Sequence, residues 1–171
     1  MKKFICVLLL IISMGSMYYF SSQDGKTSSI QSGEATEVAD NIFQKLRQEI
    51  TLTDDRLINI KDKVLNELRT YNKEYLVRKA AHFSIYALIG GFMMLLLYLF
   101  SKQVFFSGVI SFCLTFMYAV YDEKRQLAVS GRSGNLTDVF IDSSGALTAI
   151  IILSFLLLTG KGLGFLMKRK S

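Results

Sequence analysis

"RKAAHFSIYALIGG" brings Arg78, Lys79 and His82 within five residues of one another, and on a helix Arg78 and His82, four apart, share a face. His82 is the single histidine of the chain. Imidazole, with an unperturbed pKa of about 6.5, is the side chain best suited to general acid–base work near neutral pH. A second set lies in "YDEKRQLAVSGRSGNLTDVFID", which runs from Tyr121 to Asp142. There Asp122 and Gln126 are one helical turn apart with Glu123 beside them. "SGRSGN" sets Arg132 between two glycines, a tight turn able to aim a guanidinium and backbone N–H groups at an oxyanion. Asn135 is placed to cap the helix that follows, with Asp138 at its third position and Asp142 one turn further on the same face.

These residue types support distinct chemistries. Arg78, Lys79, Gln126, Arg132 and Asp142 form a ligand-binding set, in which the three cations would hold a phosphate. In a catalytic version His82 is the acid/base, Glu123 or Asp138 its partner and Arg132 the oxyanion stabiliser. A variant makes His82, Glu123, Asp138 and Asp142 ligands of a divalent cation, but the preferred assignment has no metal and no cofactor. The plainer alternative is that the same groups only tie helix ends together.

The elements that must position them are apolar runs at Phe4–Phe20, Phe83–Phe100, Val104–Tyr121 and Val139–Thr159. At about 1.5 Å rise per residue, each spans a hydrocarbon core of about 30 Å. The sequence therefore predicts an all-α integral membrane protein of four transmembrane helices in one domain. An outer-face helical insertion separates the first two spans, over residues 21–77. Residues 122–138 form an outer polar loop and 160–171 a basic tail. The first run follows Lys2 and Lys3 as a signal peptide's would, but "SMYYFSSQ" offers no small-x-small cleavage site, and Tyr18, Tyr19 and Phe20 suit an interfacial belt, so it is expected to be retained. Cys6 and Cys113 fall inside spans as small apolar residues.

Charge sets the orientation. With both termini inside, Lys2, Lys3, Lys102, Lys161, Lys168, Arg169 and Lys170 lie on the inner face with no acid among them, whereas acids and bases balance in the outer segments. The net charge of +6 thus reflects topology and meets anionic lipid rather than nucleic acid. On the outer side Gly25–Gly33 is expected to be a flexible linker. Ala35, Val38, Ala39, Ile42, Phe43, Leu46 and Ile50 predict a first amphipathic helix. Leu57, Ile60, Val64, Leu68, Tyr71 and Tyr75 predict a second from about Asp54, with Thr51 and Asp54 spaced as a capping box. Together they would cover the bundle as a hairpin. Asp142, about one turn into the membrane, needs a partner or a wet cavity, because an unpaired carboxylate there costs about 2.5–3.5 kcal/mol. Arg78, Arg132 and His82 are the partners within reach.

Four stretches in order resemble the VanZ family: FSSQ at Phe20–Gln23, RKAAHFSIYALIG from Arg78, YDEKRQ at Tyr121–Gln126, and SGRSGNLTDVFIDSSGA ending at Ala146. The resemblance covers nearly the whole chain apart from the outer connection. It implies a bacterial integral membrane protein related to the accessory protein that gives low-level teicoplanin resistance. By matched position it marks Arg78, His82, Glu123, Gln126, Arg132, Asp138 and Asp142. Three departures stand out: Arg125 where the family often has histidine, Ser130 where it often has proline, and Ala149 or a neighbour where glycine is expected.

The expected function is non-enzymatic. Binding of a lipid-linked or lipid-anchored cell-envelope molecule at the outer face would contribute to lipoglycopeptide resistance, with membrane lipids as partners, no nucleic acid and an oligomer allowed. The alternatives are a membrane-embedded enzyme acting on a polyprenyl- or glycerol-phosphate substrate, and a transporter, which polar residues at one membrane face disfavour. The expected location is the bacterial cytoplasmic membrane, multi-pass, with both termini cytoplasmic and the polar cluster outside. In a background without Cys6 and Cys113, a cysteine at Leu127 should react with a membrane-impermeant maleimide in intact cells, and one at Gln103 only after permeabilisation. The reverse pattern refutes the orientation.

Overall fold

A computed structural model of the chain describes residues 1–49, 73–132 and 134–168, with side chains described through residue 160 except those of 39, 40 and 43–49. The described residues form helices and no strands: α1 (Lys2–Ser22), α2 (Gly25–Glu49), α3 (Lys73–Ser101), α4 (Val104–Gln126) and α5 (Leu136–Lys168). α1, α3, α4 and the Leu136–Gly160 part of α5 are each long and apolar enough to cross a membrane, and α2 is not. The chain is thus an all-α membrane protein with a non-spanning helix between its first two spans. Phe4, Ile11, Phe105, Met117, Phe140 and Phe155 point outward and largely exposed. Such a surface is untenable in water and suits lipid.

Lipid supplies no hydrophobic drive for helices to associate, so close packing and polar contacts must do so. α3 is the central helix and packs against the other four. Its glycines admit α5: a Cβ on Gly90 would lie 2.8 Å from that of Ala146, and a Cβ on Gly145 would strike the Phe83 carbonyl oxygen. Gly91 faces Ala149 and Leu153, so α3 supplies the room that a glycine near 149 would otherwise give. Leu10, Met17, Tyr86, Ile89, Ala119 and Val139 form one core cluster, and Met94, Val104 and Ile150 a second nearer the opposite end. At that end Lys3 lies over the Phe100 ring, and Lys102 takes a positive φ of 58° in the turn from α3 to α4. The polar residues gather at the other end.

Three expectations change. Gly25–Gly33 is helix rather than flexible linker. Asp24 caps it, accepting from the Thr27 N–H at 2.7 Å, and that bonding holds the exposed Asp24 carboxyl below its ordinary range. Gly25 abuts the Gly131 carbonyl and donates to Ser130 O at 3.1 Å, and Ser32 and Thr36 return their hydroxyls to carbonyls four residues back. Tertiary pinning plus a cap outweighs the weak helical preference of Ser, Thr and Gly. Second, α2 buries Ser28 and Ser32 while Val38 and Ile42 are exposed, so the apolar stripe does not face the bundle at those positions. The rest of that stripe, the second outer helix up to Tyr71 and the capping box at Thr51 lie outside the described residues, and Tyr75 belongs to α3. Third, α4 stays helical through Gln126 and α5 begins at Leu136, so the outer polar connection narrows to the segment from Leu127 to Asn135.

The α3–α5 contact gives a clean stability test. Gly145→Val should destabilise by about 1–3 kcal/mol through overpacking against backbone. Gly15→Ala, where an added Cβ meets nothing within 4 Å, should leave the melting temperature in detergent unchanged or higher.

Candidate functional site

Four helix ends and one loop build the polar cluster. α1 delivers Ser21 at its last turn, α4 delivers Asp122, Glu123, Arg125 and Gln126 at its own, and α3 and α5 deliver Arg78, Lys79, His82, Asp138 and Asp142 near their starts. Gly131, with φ of 74°, turns the loop so that Arg132 points back at α1.

One half of the cluster is a clasp. Asp122, 1% exposed, accepts from Ser21 Oγ at 2.6 Å, Gln126 Nε2 at 3.0 Å and Arg125 Nη2 at 2.9 Å. Arg125 also donates to Ser22 Oγ and Tyr18 O, and its guanidinium lies 3.9 Å over the Tyr18 ring. Arg132 donates through Nη1 to Gln126 Oε1 at 3.1 Å, through Nε to Gln23 O at 3.1 Å and through Nη2 to Phe20 O at 2.9 Å. It thereby satisfies two of the carbonyls that the end of α1 leaves open. The FSSQ stretch acquires a physical meaning here: its backbone and hydroxyls receive the α4 end and the loop arginine.

The other half holds the acid–base groups. His82 Nδ1 stands 3.3 Å from Asp142 Oδ1, with both residues buried. Of the three partners within sequence reach of Asp142, the fold selects His82, while Arg132 is committed to α1 and Gln126. Lys79 pairs with Asp138. Asn135 caps α5 as its position suggested, its Oδ1 accepting from Thr137 N at 3.1 Å, and its own N–H goes to Glu123 Oε1. Glu123 Oε2 has no partner among the described residues.

These halves frame two adjoining cavities. A polar one of about 140 Å³ is lined by Tyr75, Arg78, Lys79, His82, Gln126, Arg132, Asn135 and Asp138. An apolar one of about 190 Å³ runs between α1, α2 and α3 past Phe20, Ala35, Val77, Ala81 and Ile85. Arg78, His82 and Arg132 line both. With Nδ1 turned to Asp142, Nε2 is the ring nitrogen left for these cavities. Among the described residues no three His, Cys, Asp or Glu side chains stand together as metal ligands, so the expected set of His82, Glu123, Asp138 and Asp142 is not assembled for that purpose.

The VanZ/LLP1 family model matches residues 4–158. The chain belongs to the VanZ family. The match takes in all four spans and the whole polar cluster. No curated protein and no solved structure matches the chain.

Sequence reasoning named Arg78, His82 and Arg132, which line both cavities, but missed Ser21 and Arg125 and left Asp122 without a role. The available signal was weak: small polar residues closing an apolar run, with no spacing that carries chemistry. In VanZ terms Arg125, at the position where the family often has histidine, is a clasp residue stacked on Tyr18 rather than an acid–base group. Asp122→Ala should therefore destabilise by about 3–5 kcal/mol, because it strands Ser21, Gln126 and Arg125 together. A cycle with Arg125→Ala, read from melting temperatures, should show strong coupling; additive losses would refute the clasp.

Proposed function

We propose that this protein binds a lipid-linked or lipid-anchored phosphate of the bacterial cell envelope at the outer face of the cytoplasmic membrane, with both termini inside. The observation that carries the reading is the pair of adjoining cavities. One is polar and edged by Arg78, Lys79 and Arg132; the other is apolar and lies between α1, α2 and α3; three residues are common to both. A phosphate on the polar side and a hydrocarbon chain on the apolar side match that shape and charge. Arg78 is the natural anchor, since among the described residues it meets the Tyr75 ring at 5.9 Å, whereas Lys79 and Arg132 are engaged in an ion pair and hydrogen bonds. Sequestering such a molecule at the outer leaflet would alter the display or access of lipophilic glycopeptides, and so contribute to low-level teicoplanin resistance.

A second reading rests on the His82–Asp142 pair. A carboxylate 3.3 Å from Nδ1, beside an imidazole that lines a ligand cavity, is an arrangement from which a general base can be built. A polyprenyl- or glycerol-phosphate would then be the substrate, with Arg132 near the developing charge.

Native mass spectrometry of protein purified with its lipids separates these readings. A retained phosphate-bearing lipid, lost in Arg78→Ala with the melting temperature kept, supports binding. An adduct that persists in His82→Ala but changes in mass from that in wild type supports catalysis. If no lipid phosphate accompanies the wild type and none binds on titration, the binding reading is wrong.

A further inference from the structure

α4 carries a row of hydroxyls that the ligand site does not use. Ser107, Ser111 and Thr115 follow at four-residue steps, each at most 1% exposed. At about 1.5 Å rise per residue, each step is about 6 Å, close to twice an O–H···O length of about 2.7–2.8 Å. A water molecule between two successive hydroxyls would match that spacing, with Ser107 Oγ also donating to Gln103 O at 2.7 Å. At the inner end Ser107 Oγ lies 2.8 Å from Ser101 Oγ, and midway Ser111 donates to Gly90 O on α3 at 2.8 Å.

The outer continuation is what distinguishes this row from ordinary helix packing. Thr115 Oγ1 and Tyr86 Oη have no partner among the described residues, though Thr115 is 1% exposed and Tyr86 fully buried. A buried hydroxyl left unpaired is costly, and a bound water is what removes that cost away from bulk solvent. Tyr86 sits one turn below His82 on α3, and helical side chains lean toward the N-terminus, here the outer end. Its hydroxyl is within electrostatic reach of Asp122 and Glu123 on α4 and Asp142 on α5, with the Tyr118 ring 6.0 Å away. The unpartnered Glu123 Oε2 and Ser143 Oγ lie at the same end.

We propose that the bundle interior holds a hydroxyl–water file that carries protons between the inner membrane face and the His82–Asp142 pair. Each oxygen takes a proton on a lone pair from one neighbour and releases its own to the next, and rotation of the hydroxyls resets the file. No group ends with a changed charge, and the proton is the only species moved. The inference goes beyond ligand binding and does not depend on what occupies the outer cavities.

The test is proton flux into vesicles of neutral phospholipid holding the full chain and a trapped pH dye, with a potassium ionophore to balance charge. Wild-type vesicles should acidify several-fold faster than protein-free ones under an imposed pH step. Thr115→Val and Tyr86→Phe, both near-isosteric, should each lose most of that excess. Ser84→Ala should keep it, since the exposed Ser84 hydroxyl only returns to Ala80 O. A wild-type rate equal to that of protein-free vesicles overturns the proposal. So does a wild-type rate in either variant once recovered as a folded, monodisperse sample, and if one fails to fold the other decides.

Discussion

Asp122 and Asp142 are carboxylates carried on helices that otherwise dissolve in hydrocarbon, and both are 1% exposed. Neither can stay there alone, because the membrane interior offers no water to replace the lost hydration. Each must be met by groups on other helices, and this requirement organises the polar end of the bundle. Asp122 draws in the end of α1 through Ser21 and the last turn of α4 through Gln126 and Arg125. Asp142 draws α5 against α3 through His82. Between lipid-exposed apolar helices, such polar contacts and close glycine packing supply the specificity that hydrophobic burial cannot.

The same constraint separates structure from function within one cluster. Around Asp122 both carboxylate oxygens are met, Oδ1 by Arg125 and Oδ2 by Ser21 and Gln126, and Arg132 is spent on two carbonyls at the end of α1 and on Gln126. A network this complete fixes geometry and has little left for a ligand. On the α3 side matters differ. Among the described residues Arg78 meets the Tyr75 ring, His82 stands beside Asp142, and both line cavities. The clasp thus holds the helix ends still while the α3 face remains open to chemistry, the usual division between a supporting shell and the groups it serves.

α2 shows how an element that does not span the membrane can contribute to the site. Its start is pinned to the polar loop by the Gly25–Gly131 contact, and its Ser28 and Ser32 line the apolar cavity beside Phe20. The helix therefore walls the cavity from above, and its exposed Val38 and Ile42 stand away from the core.

Four apolar runs determined the membrane fold and the spacing of its spans, because helix length and hydrocarbon thickness leave few alternatives. The spacing of Arg78 with His82 and of Asp138 with Asp142 was also legible, since residues four apart share a helical face wherever the helix is placed. Family membership was legible too, from four short stretches in order. What the sequence could not decide was pairing. Whether Asp142 met Arg78, Arg132 or His82 depended on how α3 and α5 approach, and Gly90, Ala146 and Gly145 set that approach. Nor could spacing show that Ser21 would meet Asp122, 101 residues later, or that a Ser- and Gly-rich stretch would be helical once its first residue was trapped against Gly131. Local periodicity fixes which face a residue occupies; only the packed bundle decides which other face it meets.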